Sequence, residues 1–326
     1  MTKIKMDTRK AVLDMLFKAN GEISGEELAN RMGISRNSVW KAVNGLKKQG
    51  YSIASSKQGY RLVDDGRFNE YSIKAHLAEE HRLYIYKKET SSNTVAKELC
   101  RDGEGEGSVV IVESQTAGKG RMGRSFISES ENGLYMSIIL RPTIPADRCV
   151  NITVLCAVSV LEAIEKLTGK ECHIKWVNDI YIGDKKCCGI LTEASIDFES
   201  GAMQYAVVGI GVNMCPPKGG FDKDIADIAC GIYENECPHG FKAKLCAEII
   251  NRFFHHYKCI ENKEYINLYR EKSNIIGNPV DVFVGERVIS GIAVDIDCDA
   301  RLVVKDDSGV SHSFSSGEAR VKRQGK

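Results

Sequence analysis

The chain has 326 residues, 43% of them hydrophobic and 27% charged, with a formal net charge of +1. That is an ordinary globular composition, long enough for two or three domains. There is no run of about 18 apolar residues, which excludes a helical membrane span, and the charged segment Met1–Lys10 does not read as a secretory leader. Twelve cysteines are scattered without a Cys-x-x-Cys pair or zinc-like spacing, so they read as reduced thiols of a cytoplasmic protein.

The charge is unevenly spread. Residues 1–63 carry 12 Lys/Arg against 5 Asp/Glu, whereas the remainder carries 33 against 39. A basic head on an acidic body points the head toward a polyanion. Val12, Leu13, Leu16 and Phe17 recur at helical spacing, and Asn20-Gly21 ends that segment. Ser24-Gly-Glu-Glu27 fits a capping box opening a short helix with Leu28, Ala29 and Met32. Gly33 turns the chain and Ser35 can cap a second helix, which Gly50 stops. Val39, Val43 and Leu46 share one face of that helix, leaving Arg36, Asn37, Ser38, Lys41, Asn44 and Lys48 outside. Tyr51–Ile53 and Tyr60–Leu62 flank a polar tip at Ser55–Gly59 and read as a hairpin wing. The pattern predicts a winged helix-turn-helix whose DNA contacts come from Ser35 and the six polar residues of the second helix. A helical protein-interaction module with solvated charges is the competing reading.

Asp64-Asp65-Gly66 begins a linker, and Tyr71–Glu80 reads as a short helix. The body then alternates strands and helices. Strands are expected at Arg82–Lys87, Ser108–Ser114, Leu134–Leu140, Ile174–Ile182, Cys187–Ala194 and Met203–Met214. Helices are expected at Thr94–Arg101 and at Val150–Leu167, the latter stopped by Gly169. The hairpin turn at Gly183-Asp184 argues for a largely antiparallel sheet covered by helices.

Gly118-Lys-Gly-Arg-Met-Gly-Arg124 combines three glycines with Lys119, Arg121 and Arg124. The backbone there can approach a ligand closely while the side chains supply positive charge. The dinucleotide fingerprint is rejected because its variable positions are basic and Ser125–Ser128 does not open a helix. A protein kinase is rejected because no His-Arg-Asp or Asp-Phe-Gly follows. What remains is a cationic loop able to close over a phosphate-bearing ligand. In Lys175-Trp-Val-Asn-Asp179, strand alternation puts Lys175, Val177 and Asp179 on one side and Trp176 and Asn178 on the other. Lys175 suits a phosphate, and Asp179 a ribose or Mg²⁺. Gly209 and Gly211 sit in the apolar strand Val208–Asn213 and suggest close approach by a flat ligand or a backbone, with a bulge as the alternative.

Glu89-Thr-Ser-Ser-Asn-Thr94, Gln115–Arg124, Lys175–Asp179, Lys186-Cys-Cys-Gly-Ile190 and Gly209-Ile-Gly-Val-Asn213 occur in the order and approximate spacing of biotin–protein ligases. With its helix-turn-helix head, the chain resembles the bifunctional form that is also the biotin operon repressor. Two departures are Ser92, where the family usually has Thr, and Val177, where it usually has Pro. The resemblance implies an α+β chain with three parts. These are a winged helix-turn-helix over residues 1–65, a class II synthetase-like catalytic domain with a mixed sheet over 66–272, and an SH3-like C-terminal barrel over 273–326. Short strands at Pro279–Val284, Arg287–Asp295, Arg301–Lys305 and Val310–Phe314 agree with the last.

By the same resemblance, Ser91, Ser92, Asn93, Gln115, Gly118, Lys119, Arg121, Lys186, Gly189, Gly209 and Gly211 would meet biotin and its adenylate. Arg124, Phe126, Lys175, Asn178, Asp179, Asn213, Glu318 and Arg320 would serve ATP, with Asp179 toward Mg²⁺. Lys186, Arg121 and Lys119 would carry the chemistry. Two anions meet when a carboxylate attacks the α-phosphate, so a closing cationic loop suits the residue types. The implied partners are a biotin carboxyl-carrier protein, operator DNA and a second copy of the chain when biotinyl-AMP is bound, with no membrane. A lipoate-type ligase, a non-catalytic biotin sensor and a nicotinamide oxidoreductase are the alternatives. The basic loop and the Lys-Trp-x-Asn-Asp segment argue against the first, and the retained Lys186, Arg121 and Asp179 against the second.

Overall fold

The computed structural model describes residues 8–19, 21–48, 51–63, 67–128, 131–145, 148–197, 199 and 201–322. The helix stops expected at Asn20 and Gly50 and the linker start at 64–66 lie outside them. The chain divides into two compact units, Met1–Ser72 and Ile73–Lys326.

In the first unit, helices α1 (Thr8–Lys18), α2 (Gly25–Met32) and α3 (Arg36–Lys48) precede a hairpin of β1 (Ile53–Ser55) and β2 (Tyr60–Leu62). Val12, Leu13, Leu16, Leu28, Val39, Val43 and Leu46 are almost wholly buried together. Each such side chain contributes about 1.5–3 kcal/mol by leaving water. Ser24 caps α2 by accepting the Glu27 N–H at 3.0 Å, and Gly33 ends it in the left-handed conformation. The reciprocal half of the expected capping box is missing, because the Glu27 carboxylate pairs with Arg31 at 2.5 Å. The unit ends after Ser72, later than residue 65, because Tyr71 belongs to its core. The Tyr71 ring packs edge-on to Phe17 and Tyr51, and its hydroxyl donates to Asp14 at 2.9 Å.

The helix expected over 71–80 is shorter, α4 (Glu70–Lys74). Beyond it, Ala78 N–H donates to Asn251 Oδ1 and the His76 carbonyl accepts from Asn251 Nδ2, so a side chain takes the groups another helical turn would use.

The second unit is built on a seven-stranded sheet. Its elements are β3 (Leu83–Glu89), α5 (Ser92–Arg101), β4 (Val109–Gln115), β5 (Gly133–Leu140), α6 (Cys149–Thr168), β6 (His173–Lys175), β7 (Asp179–Ile182), β8 (Lys185–Ile196) and β9 (Met203–Asn213). The order is β3-β4-β5-β9-β8-β7-β6. Only β3 and β4 are parallel, and α5 is their crossover. Helix α6, buried along most of its length, packs beside α7 (Phe241–Tyr257) and α8 (Tyr265–Glu271). Gly169 ends α6 in the left-handed conformation, as the sequence predicts.

A second, wholly antiparallel sheet follows, of β10 (Pro279–Val284), β11 (Arg287–Ile296), β12 (Leu302–Lys305), β13 (Ser311–Phe314) and β14 (Glu318–Val321), in the order β13-β12-β11-β10-β14. Val280, Val282, Ala293, Ile296, Leu302 and Val304 form its buried face.

The strand expected over Ile174–Ile182 is broken at Trp176–Asn178. Lys175 pairs with Asp179 across a three-residue turn. Tertiary partners explain the break. Trp176 Nε1–H donates to the Ala300 carbonyl at 3.2 Å, the Val177 carbonyl accepts from Tyr269 at 3.0 Å, and Asn178 Nδ2–H donates to the Ile190 carbonyl at 2.8 Å. The strict alternation of faces through this segment therefore does not hold.

Candidate functional site

The glycine loop is a clamped excursion between β4 and β5. Gly120 N–H donates to the Arg124 carbonyl at 2.7 Å and Phe126 N–H to the Gly118 carbonyl at 2.9 Å, closing the neck. Arg121–Gly123 makes one tight 3₁₀ turn at the tip, and no helix follows. The geometry thus lacks the helix N-terminus of a dinucleotide fingerprint. Gly118 does not face the cavity described below. A Cβ there would lie 2.3 Å from the Phe126 carbonyl, so its requirement is the crossing of the neck.

Gly209 and Gly211 lie in regularly paired β9, without the bulge considered from sequence. What approaches them is neither backbone nor a bare ligand surface. A Cβ on Gly209 would meet Asn93 Oδ1 at 2.2 Å, and one on Gly211 the Phe126 ring at 2.7 Å. The glycines make room for the two side chains that build the site walls.

Two adjoining cavities result. The first is lined by Ser91, Ser92, Asn93, Gln115, Lys119, Gly189, Gly209 and Gly211, with Leu191 and Ile210 as apolar surface. Ser91, Ser92, Asn93 and Gln115 are all buried. Ser92 N–H donates to Gln115 Oε1 at 2.8 Å, and Gln115 Nε2–H to Ser128 at 2.9 Å. About 50 Å³ is free, room for roughly two waters. The second cavity, about 550 Å³, is lined by Arg124, Lys175, Trp176, Asp179, Asn213 and Glu318. Met122, Phe221, Ile225 and Ile228 give it an apolar rim that sequence reading missed. Three of these lie between β9 and α7, where no periodicity marks them.

Gly120, Arg121, Phe126, Asn178 and Lys186 line both cavities. Lys186 Nζ stands 2.7 Å from Asp179 Oδ1, a buried oxygen that has no other partner. Arg121 Nη1–H donates to Asn178 Oδ1 at 3.2 Å. Burial pushes the Arg121 guanidinium below its ordinary value, with the Asp179 carboxylate acting the other way. A partly desolvated cation with no salt-bridge partner among the described residues gains from an incoming anion. Arg124 pairs with Glu318 at 2.5 Å, joining the loop to β14. Arg320 is not brought into either cavity; it pairs with Glu318 and stacks over Phe283. Among the described residues, no cluster of three or more His, Cys, Asp or Glu could hold a metal ion.

On the first unit, α3 exposes Arg36, Asn37, Lys41 and Lys48, with Asn44 and Ser38 half-buried. The Ser35 and Ser38 hydroxyls meet at 2.9 Å, and Ser35 Oγ accepts the Ser38 N–H, so both serve the start of the helix. Trp40, absent from the sequence-based contact set, is 55% exposed amid these groups. Lys57 and Gln58 are exposed at the hairpin tip.

Three family models match the chain. An HTH domain matches residues 8–61, the biotin/lipoate A/B protein ligase family 86–213, and the biotin protein ligase C terminal domain 275–321. Bifunctional ligase/repressor BirA of Bacillus subtilis (strain 168) is 31% identical over 318 residues, covering 94% of this chain and 97% of that protein. Its Escherichia coli (strain K12) counterpart is 26% identical, covering 93% and 94%. Among solved structures, a biotin protein ligase from Aquifex aeolicus in complex with biotin and ATP matches with a TM-score of 0.62 at 26% identity. The match covers 74% of this chain and 99% of that one.

Proposed function

The chain belongs to the family of bifunctional biotin ligase/repressors, and from that premise we propose how its residues divide the work. Its activity is ATP-dependent biotin ligation, and its helix-turn-helix is a repressor domain. Biotin occupies the first cavity, held by Ser91, Ser92, Asn93, Gln115 and Lys119. ATP occupies the second, with Trp176 and the apolar rim toward the base and Lys175, Arg124 and Asn213 toward the polar parts. The observation that carries this assignment is the set of residues common to both cavities. Arg121, Asn178 and Lys186 stand where a carboxylate from one side would meet an α-phosphate from the other.

The carboxylate oxygen attacks phosphorus, and the bond to pyrophosphate breaks. Arg121 and Lys186 offset the charge that gathers on the transferring phosphate, in a site from which the loop excludes water. The ε-amine of the acceptor lysine then attacks the acyl carbon of biotinyl-5'-AMP, and AMP leaves. No enzyme nucleophile is required.

Mg²⁺ fits as an ion carried on the nucleotide. One carboxylate, Asp179, is suitably placed, and phosphates and water usually complete such a shell. Bound there, it would neutralise phosphate charge. Breaking the Lys186–Asp179 pair would free both groups for their anion and cation.

The five-stranded C-terminal sheet supports an SH3-like assignment for 273–326, and Glu318 on β14 reaches the nucleotide cavity. We assign catalysis to the chain between this sheet and the DNA-binding head. Operator DNA would take the exposed face of α3 and the hairpin tip, with paired half-sites read by a dimer that biotinyl-AMP favours. No helix among the described residues is long and apolar enough to cross a membrane, and we place the protein in the cytoplasm with a biotin carboxyl-carrier protein as acceptor. Incubation with ATP, Mg²⁺, biotin and a biotin-carrier domain, read by mass spectrometry, tests the assignment. A mass increase on one carrier lysine with biotin is expected. Gain of mass with lipoate alone would overturn it.

A further inference from the structure

Behind the Ser91–Asn93 turn runs a chain of polar contacts whose direction is fixed at one end. Asn93 is 3% exposed. Its Nδ2 donates to Glu193 Oε2 at 2.8 Å and to the Leu191 carbonyl at 3.3 Å. Glu193 Oε1 in turn accepts from Lys97 Nζ at 2.6 Å. Burial opposes the Glu193 charge, but the hydrogen bonds from Lys97 and Asn93 outweigh it and hold the carboxyl below its ordinary value.

A carboxylate can only accept, so the Asn93 amide must turn Nδ2 toward Glu193 and Oδ1 away from it. On that other side the wholly buried Ser137 hydroxyl lies 2.6 Å from Asn93 Oδ1 and 2.8 Å from Ser92 Oγ. Ser137 has one proton, and an amide oxygen can only accept. The Ser137 hydroxyl donates toward both oxygens, more closely to Asn93 Oδ1, so each accepts on that side. Asn93 Oδ1, beneath Gly209, is the acceptor that this wall presents.

We propose that Glu193 is a positioning residue that sets the hydrogen-bond polarity of this wall, so that the cavity selects a ligand presenting N–H donors, as the cyclic urea of biotin does. The proposal rests on reading this cavity as the biotin site. Lys97 is part of the device: its ammonium demands an acceptor and so decides which way an uncharged substitute at position 193 would turn.

The test uses the full-length protein, biotin and two cyclic carbamate analogues, each with one ring N–H replaced by oxygen. Binding is read by calorimetry, and adenylation by the KM for each acid. Wild type should favour biotin over at least one analogue by about 10- to 100-fold, the usual consequence of an unpaired buried polar group. In Glu193→Gln the amide oxygen turns to Lys97 and its NH₂ to Asn93, which then flips at the expense of its longer, 3.3 Å bond to the Leu191 carbonyl. The biotin KM should rise by about 10- to 100-fold while the ATP KM holds, and the preference over the analogue should largely vanish. Adding Lys97→Met frees the glutamine to turn its oxygen back to Asn93. The double variant should return to within about threefold of the wild-type biotin KM, since a neutral acceptor then replaces a charged one. A purely structural role for the pair predicts the opposite, a double variant at least as impaired as the single one. If wild type does not bind biotin, the site reading and this proposal fall together. If wild type binds biotin but Glu193→Gln keeps wild-type discrimination, or Lys97→Met gives no rescue, this proposal alone is overturned.

Discussion

Adding one methyl group at Gly209 tests how firmly the first cavity is built. Gly209 pairs with Ser137 on one side and Leu191 on the other, in the interior of the sheet, so its backbone has nowhere to retreat. A Cβ would stand 2.2 Å from Asn93 Oδ1 and 2.8 Å from Asn93 Cγ. In Gly209→Ala the Asn93 side chain must leave. It would forfeit a charge-assisted bond to Glu193, about 1.5–3 kcal/mol, and a neutral one from Ser137, about 1 kcal/mol. The loss is about 2.5–4 kcal/mol, which lowers Tm by roughly 5–16 °C in a unit of this size. Biotin affinity should fall by about 10²-fold, since the wall that Asn93 forms is displaced. Thermal melting and biotin calorimetry measure the two effects, with the exposed Gln204→Ala on the same strand as control. A Gly209→Ala protein that melts within about 2 °C of wild type and binds biotin normally would refute the reasoning.

Three further outcomes follow from the same geometry. Lys186→Ala should slow biotin-dependent pyrophosphate exchange by about 10²- to 10³-fold; unchanged single-turnover adenylation would remove Lys186 from the chemistry. Deleting residues 1–63 should abolish operator binding and leave biotinylation largely intact, and sedimentation of the intact protein should shift toward dimer with biotinyl-adenylate, through a coupling of about 1–3 kcal/mol; equal promoter binding with and without biotin and ATP would contradict the ligand-linked part. The Glu104 carboxyl is lowered to about 2, first by the Tyr84 hydroxyl, against burial, and further by Ser108, Gly105 and Arg82. Its contribution is complete above the ordinary carboxyl value of 4.5 and fades as pH falls toward about 2. Glu104→Gln should therefore lower urea resistance at neutral pH and flatten its loss across that window, and an unchanged acid limb would show that Glu104 is not the group responsible.

Much of the architecture was legible because it rests on local rules. Ser24, Gly33 and Gly169 act through backbone conformation and nearby donors, and each sits where the sequence places it. The broken strand at Trp176–Asn178 was not legible. Its backbone and side-chain groups are satisfied by Ala300, Tyr269 and Ile190, partners that no periodicity within the segment announces. The glycines of β9 carried a correct signal of close approach, but sequence alone could not say that Asn93 and Phe126 approach them. The same limit applies to Phe221 and Ile225, which enter the second cavity from a segment without regular structure. Glu193 escaped notice because its role depends on Asn93 and Lys97, about a hundred residues earlier.

The volumes of the two cavities bear on how the reaction must proceed. The first cavity, with about 50 Å³ free against about 550 Å³ in the second, gives a bicyclic acid more room when a wall moves. Most of that wall is fixed: Asn93 and Gln115 are tied by buried hydrogen bonds, and Gly189, Gly209 and Gly211 lie within paired strands. The wall outside the paired strands is the loop, which brings in Lys119, Arg121 and Phe126 and is tied to β14 by the Arg124–Glu318 pair. Its neck is held by the Gly120–Arg124 and Phe126–Gly118 hydrogen bonds, so the tip can swing as a body while the cations keep their spacing. If the loop opens by releasing the Arg124–Glu318 pair, opening for the acid and closing over the adenylate are one motion. Retention of the intermediate follows from the same loop that stabilises its formation. A free carboxylate is a poor acyl donor, so activation falls to ATP, and Arg121→Ala should release preformed biotinyl-adenylate faster than wild type. Equal release rates would mean that the loop does not close over the intermediate.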